Sequence, residues 1–141
     1  MEVDTDTGFV KLLKHWAVED CGRVLNPMLV DEQMRGAIVQ GIGGALFEEC
    51  LYDDAGLMLN ANMADYLVPM SAEMPDIEVA HVMTPTRSSK LGAKGAGEAG
   101  TAGAPAAVMN AINDAIAPFG AVVHSQPITP EKLLRALGKV A

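Results

Sequence analysis

The sequence predicts an α+β fold in which a mixed or antiparallel sheet packs against helices. Strand-type alternation near the N-terminus and helix-type spacing of apolar residues further along the chain support this fold class. Half of the residues are apolar and 20% are charged, which is typical of a globular domain. Because no internal repeat or flexible linker interrupts the sequence, we interpret residues 1–141 as one domain.

The first predicted element is a half-buried strand over residues 9–18, where side chains alternate between two faces. One face is apolar and carries Val10, Leu12, Trp16 and Val18. We therefore expect Trp16 in the core. The turn residues Asp4–Gly8 leave only Met1–Val3 to pair with this strand, so we expect further sheet residues upstream of this sequence.

A long helix is predicted to begin at Asn26–Pro27, because asparagine is a good N-cap and proline suits the first helical position. Apolar residues then recur with helical spacing at Val30, Met34, Ala37, Ile38, Ile42, Ala45 and Leu46. The same stretch contains Gly36, Gly41, Gly43 and Gly44, and a glycine costs up to about 1 kcal/mol in a helix relative to alanine. This composition predicts that a neighbouring backbone or a ligand approaches the helix closely.

The second half of the chain predicts further short elements and one more long helix. The short elements are a hairpin over residues 51–59, a strand over residues 77–82 and a terminal helix from Pro130. After a glycine-rich stretch, we expect Thr101 or Gly103 to cap the long helix, with Pro105 near its first turn.

Composition also disfavours several classes of function. The net charge of -8 argues against binding to nucleic acid phosphates. Cys21 and Cys50 form neither a disulfide framework nor a zinc motif, so we expect no metal site from this chain alone and a small buried role for Cys21. The N-terminus does not resemble a signal peptide, and no apolar run reaches the roughly 20 residues that span a bilayer. We therefore expect a cytoplasmic protein.

Residues Gly95–Gly100 match the pattern GxGxxG, which also occurs in dinucleotide-binding domains. That type of site needs a buried strand immediately before the glycines, whereas Thr86–Lys90 are polar. A second interpretation is that the glycines form a concavity for a ligand that buries Glu98, which suits a general base. A third is that Glu98 is a solvated carboxylate at a helix start.

Four stretches agree with the motifs of a known family. They are Asp20–Pro27 (DCGRVLNP), Val39–Gly43 (VQGIG), Gly92–Glu98 (GAKGAGE) and Gly103–Pro105 leading to Asn110–Asp114. In order and spacing they resemble the molybdenum hydroxylases, which include xanthine dehydrogenase, aldehyde oxidoreductases and the large subunit of carbon monoxide dehydrogenase. The resemblance covers nearly the whole chain and corresponds to the C-terminal part of the molybdopterin-binding domain of the aldehyde oxidase and xanthine dehydrogenase type.

This resemblance implies roles for individual residues. Glu98 matches the family's glutamate, the general base that takes a proton from the molybdenum-bound hydroxyl. Gln40 matches a glutamine whose amide lies near the oxo ligand of the metal. Gly95, Ala96 and Gly97 match the loop whose backbone lines the pterin dithiolene.

The resemblance also implies a cofactor and partners. The cofactor is molybdenum-molybdopterin in its cytosine dinucleotide form, shared with the remaining part of the large subunit. Iron–sulfur clusters and FAD are expected on other domains or subunits. The implied reaction is the hydroxylation of an aldehyde or N-heterocyclic carbon of a small molecule, with water as the oxygen source. The alternative is a non-catalytic fragment or binding module that only associates with a partner chain.

Overall fold

Three helices and two small sheets make up the fold. A computed structural model describes residues 1–141. The elements are β1 (Glu2–Val3), β2 (Val10–Lys11), β3 (Lys14–Glu19), α1 (Pro27–Leu46), β4 (Asp76–His81), α2 (Ala99–Ile116) and α3 (Pro130–Ala136). Strands β1 and β2 pair in antiparallel fashion, and β3 pairs with β4 in parallel. The predicted α+β class with a mixed set of strand pairs is confirmed.

The hydrophobic core lies where α1 and α2 pack together. Asn26 caps α1 as predicted, since its side chain accepts a hydrogen bond from the backbone N–H of Leu29 at 3.3 Å. The predicted apolar stripe of α1 packs against its counterpart on α2, and the fully buried side chains include Ile38, Ile42, Ile112 and Ile116. Burial of one such side chain stabilises the fold by roughly 1.5–3 kcal/mol. This packing fixes how the two helices lie against each other.

The prediction of one strand over residues 9–18 with Trp16 in the core is wrong. The strand is divided at Leu12 and Leu13, and β3 alone pairs with β4. Trp16 is 67% exposed, whereas Ala17 on the opposite face packs against the core. Small residues of α2, which include Gly100 and Ala104, lie next to Ala17 on the inner face of β3. Trp16 instead lies outward, with the Lys14 ammonium 5.5 Å from its ring.

Helix α2 begins earlier than predicted. Glu98 is its N-cap, so Thr101 and Gly103 lie inside the helix, and Pro105 follows its first turn. The absence of an N–H on Pro105 leaves the carbonyl of Thr101 without its usual helical partner. The consequence is that Glu98 is attached directly to a long, well-packed helix.

Two of the three shorter elements follow the predictions closely. The hairpin over residues 51–59 is reduced to one bridge between Tyr52 and Met58, and β4 and α3 form where expected. No helix is long and apolar enough to cross a bilayer.

Candidate functional site

Two glycines bring the N-terminal end of α2 against the middle of α1. A Cβ atom built on Gly41 would lie 2.8 Å from the Cβ of Ala104. One built on Gly100 would lie 2.8 Å from the carbonyl oxygen of Met34 and 2.9 Å from the backbone nitrogen of Ile38. Real Cβ atoms do not approach so closely, so only glycine permits this crossing. The predicted close approach to the glycine-rich helix is therefore confirmed at Gly41, but it is wrong for Gly36 and Gly44, where no atom lies within 4 Å of a built Cβ.

A second close approach joins two of the motifs singled out in the sequence. Gly22 and Gly92 have φ values of +71° and +73°, and a Cβ on Gly22 would overlap the carbonyl oxygen of Gly92. The backbone N–H of Lys94 donates to the carbonyl of Cys21 at 2.7 Å, and that of Arg23 donates to Gly92 at 3.0 Å. The segment before Glu98 is thus fixed to the turn that precedes α1.

Asp20 connects this turn to the same segment. Its Oδ1 accepts hydrogen bonds from the backbone N–H groups of Gly22 at 2.9 Å and Thr84 at 3.0 Å, and lies 3.0 Å from Nζ of Lys94. The hydrogen bonds from Thr84 first, then those from Gly22 and Lys94, hold the pKa of Asp20 well below its usual range. The side chain is therefore an ionised acceptor at neutral pH.

Glu98 presents its carboxylate to solvent at the end of the glycine-rich loop. It is the N-cap residue of α2, and its carbonyl accepts from the N–H of Ala102 at 3.1 Å. Its side chain forms no capping hydrogen bond and is exposed. The carboxylate of Glu98 therefore does not bond to the N–H groups of the helix terminus, and both of its oxygens are available to a ligand.

The loop residues Gly95, Ala96 and Gly97 form an open backbone surface beside Glu98. No atom lies within 4 Å of a Cβ position built on Gly95 or Gly97. The backbone N–H groups of residues 95–101 donate no hydrogen bond within the chain. Unpaired amides at a helix N-terminus favour an anionic ligand, because the helix dipole adds partial positive charge there.

Gln40 lies on the face of α1 that meets this end of α2. Its side chain is exposed, and its Oε1 accepts a hydrogen bond from Oγ1 of Thr101 at 3.2 Å. Thr101 lies one helical turn after Glu98, and its hydroxyl also contacts the carbonyl of Ala37 at 2.9 Å. The structure therefore links Gln40 to the first turn of α2, and Glu98 is the N-cap of that helix.

Gln33 was not predicted to take part in the site. Its Nε2 donates to the carbonyl oxygen of Gly97 at 2.9 Å. The available signal was spacing, since Gln33 precedes Gln40 by seven residues and so shares its helix face.

A buried polar cluster lies at the edge of the sheet where β3 and β4 end. Glu19 faces His81 across the parallel pair, and Nε2 of His81 lies 2.6 Å from Oδ1 of Asp31. Burial raises the pKa of Glu19, the neighbouring charge of Asp20 raises it further, and His81 lowers it. Sequence reasoning did not find this cluster, because its members are far apart in the chain.

The more apolar clefts lie elsewhere. Two of them, of about 300 and 490 Å³, lie beside Leu46 and Phe47 near the C-terminal end of α1, and neither includes Glu98. A smaller cavity of about 200 Å³ lies next to Gly100 and is lined by Glu19 and small residues of α2. The candidate site is thus an open surface of this chain.

Known proteins are similar to this chain in sequence and in fold. The molybdopterin cofactor-binding domain family matches residues 1–75. The nicotine 6-hydroxylase large subunit of Paenarthrobacter nicotinovorans is 48% identical over 96% of this chain and 17% of its own length. The aldehyde oxidoreductase molybdenum-binding subunit of Escherichia coli is 41% identical over 98% of this chain and 19% of its own length.

A solved structure is also similar to this chain in sequence and fold. Quinoline 2-oxidoreductase from Pseudomonas putida 86 superposes with a TM-score of 0.93 and 42% identity, over 97% of this chain and 17% of that one. The chain spans 14–19% of the length of the curated relatives that it matches. On this match of sequence and fold, the chain belongs to the molybdopterin cofactor-binding domain family found in molybdenum hydroxylase large subunits.

Proposed function

We propose that this chain contributes the general base and part of the cofactor pocket of a molybdenum hydroxylase. The observation that carries the proposal is Glu98, an exposed carboxylate at the junction of an open glycine loop and the N-terminus of α2. The reaction proposed is the hydroxylation of an aldehyde or N-heterocyclic carbon with oxygen from water.

The residues around Glu98 fit a bulky anionic cofactor. The open Cβ positions of Gly95 and Gly97 leave room for it, and the unpaired N–H groups of residues 95–101 are donors for it. We assign this surface, with Ala96, to the molybdopterin end of a molybdopterin cytosine dinucleotide. When bound, this group supplies the oxygen that is transferred and accepts two electrons, which iron–sulfur and flavin groups on other domains or subunits carry onward.

Within this chain, Glu98 accepts the proton and Gln40 makes an orienting hydrogen bond to the bound group. Glu98 accepts the proton that is released as oxygen derived from water is added to the substrate carbon. The side-chain amide of Gln40 lies 3.2 Å from the hydroxyl of Thr101 and is exposed, so it can also bond to a group bound at this surface. General-base catalysis contributes about 10²–10⁴-fold, whereas an orienting hydrogen bond contributes less.

The names of the relatives support the substrate classes proposed. Nicotine and quinoline are N-heteroaromatic compounds, and the third relative is an aldehyde oxidoreductase. In both classes the carbon that is hydroxylated is electron-poor, which suits attack by an oxygen nucleophile whose proton Glu98 removes.

The surface of the chain supports association with the rest of a large subunit. Its accessible area is 8784 Å². A compact monomer of this mass exposes about 7,000 Å², so the chain exposes about 1,800 Å² more than expected. The exposed apolar side chains include Trp16 and Val18 on the outer face of β3, a strand that pairs on one side only. Exposed apolar patches of this kind mark interaction sites.

Substitution of Glu98 in the assembled, cofactor-loaded enzyme tests the proposal. Glu98→Gln is nearly isosteric but cannot accept the proton, so rapid mixing with substrate should show cofactor reduction slowed by at least about 10²-fold. Gln40→Ala should slow reduction less, because it removes a donor and no proton acceptor. Unchanged molybdenum content in both variants is the control. A Glu98→Gln enzyme that is reduced at close to the wild-type rate would favour the alternative of a binding module without a catalytic role.

A further inference from the structure

The Gly95–Gly97 loop has a single hydrogen-bonded attachment within the chain. Before the loop, Lys94 is bonded to Cys21, and after it, Glu98 is bonded to Ala102. Between these points, the only hydrogen bond is the one that Nε2 of Gln33 donates to the carbonyl oxygen of Gly97. The peptide that this carbonyl belongs to leads directly into Glu98.

Gln33 stands on a rigid support. It projects from the second turn of α1, and the neighbouring residues Met34 and Ile38 contact Gly100 so closely that a side chain there would overlap them. One turn beyond Ile38, Gly41 fits against Ala104. The distance from Gln33 to the start of α2 is therefore fixed by the crossing of the two helices.

We propose that Gln33 is a positioning residue that orients Glu98 through the carbonyl of Gly97. The inference rests on the proposed function of Glu98 and adds a residue that acts through it. Glycine has the largest conformational freedom of any residue, so a loop with glycine at both ends does not hold its own shape. A hydrogen bond to the peptide before Glu98 restricts the directions in which its carboxylate points.

The position of a catalytic group affects the rate of the chemical step more than it affects substrate affinity. Misplacement of a catalytic group by about 1 Å can cost on the order of 10²-fold, and we expect loss of one hydrogen bond in this short loop to displace Glu98 by less than that. We therefore expect Gln33→Met, which keeps the side-chain length and removes the donor, to slow substrate-driven reduction of the cofactor about tenfold. Apparent substrate affinity and molybdenum content should stay at their wild-type values, because the substitution removes no group that is assigned to substrate or cofactor binding.

A double-mutant cycle in the assembled, cofactor-loaded enzyme tests the inference. Gln33→Met is introduced into the wild type and into Glu98→Gln, and the limiting rate of cofactor reduction is measured at saturating substrate. The matched control is Gln126→Met, which removes a 2.8 Å hydrogen bond to the carbonyl of Pro105, also on α2 but two turns from Glu98. If Gln33 acts through Glu98, its substitution slows the wild type and has no further effect in Glu98→Gln, while the control retains the wild-type rate.

Three results would overturn the inference, and they are distinguishable. An equal further loss in the Glu98→Gln background would show that Gln33 acts independently of Glu98. Loss of molybdenum from Gln33→Met would make Gln33 a cofactor-binding residue instead. A wild-type rate in Glu98→Gln would refute the proposed base itself, and the inference about Gln33 with it.

Discussion

Replacement of Gly41 by alanine should destabilise the chain, although alanine is the better helix former. In the interior of α1, the higher helix propensity of alanine would by itself stabilise the helix by about 1 kcal/mol. The added Cβ would lie 2.8 Å from the Cβ of Ala104, 3.0 Å from Cδ of Pro105 and 3.2 Å from the carbonyl oxygen of Thr101. None of these atoms is at the end of a flexible side chain. Relief of the overlap therefore requires the helices to move apart, and overpacking of this kind costs about 1–3 kcal/mol.

Gly36→Ala is the matched control for this prediction. Gly36 also lies in the interior of α1, but no atom is within 4 Å of its Cβ position. Because both replacements gain the same helix propensity, the difference between them isolates the overlap at Gly41. Thermal or urea unfolding should therefore show Gly41→Ala less stable than Gly36→Ala by about 1–3 kcal/mol. Equal stability of the two variants would refute the close crossing of α1 and α2.

Two further predictions concern buried and paired carboxylates. Burial raises the pKa of Glu19, so its ionisation opposes folding, and Glu19→Gln should raise the unfolding temperature at pH 8. This gain in unfolding temperature should vanish below pH 4.5, which is the ordinary pKa of glutamate. A gain that is independent of pH would contradict the prediction. The pKa of Asp20 is lowered, so its ionised carboxylate stabilises the fold. This stabilisation is present above the ordinary pKa of aspartate and is lost only in strong acid. Asp20→Asn should therefore speed hydrogen exchange at the Lys94 amide at neutral pH, and unchanged exchange would show that the ion pair with Lys94 does not hold the loop.

The elements that the sequence predicted well are those with strong local signals. Asn26 and Pro27 mark the start of α1 through capping chemistry alone, and the apolar spacing after them identifies the buried face. Close approach at Gly41 followed from the cost of glycine in a helix. The cap, the apolar spacing and the presence of a glycine in a helix are local features, so they can be recognised in the sequence without knowledge of the fold.

The elements that were missed depend on tertiary contacts. Alternation around Trp16 defined two faces of a strand, but the small residues of α2 decide which face is covered. The start of α2 was placed too late, since Gly100 and its neighbours carry no apolar period. Within the site, Glu98 and Gln40 were predicted from family motifs, whereas Gln33 has no motif and is identified only by its contact with Gly97.

The central claim is that the end of α2 and the glycine loop form one wall of a molybdenum site. A high-resolution structure of the assembled, molybdenum-loaded enzyme that contains this chain tests it most directly. The account predicts that Gly95–Gly97 line the pterin end of the cofactor. It also predicts a Glu98 oxygen within hydrogen-bond reach, about 2.6–3.2 Å, of the oxygen that it deprotonates. A cofactor bound away from this loop, with Glu98 in solvent, would contradict the account.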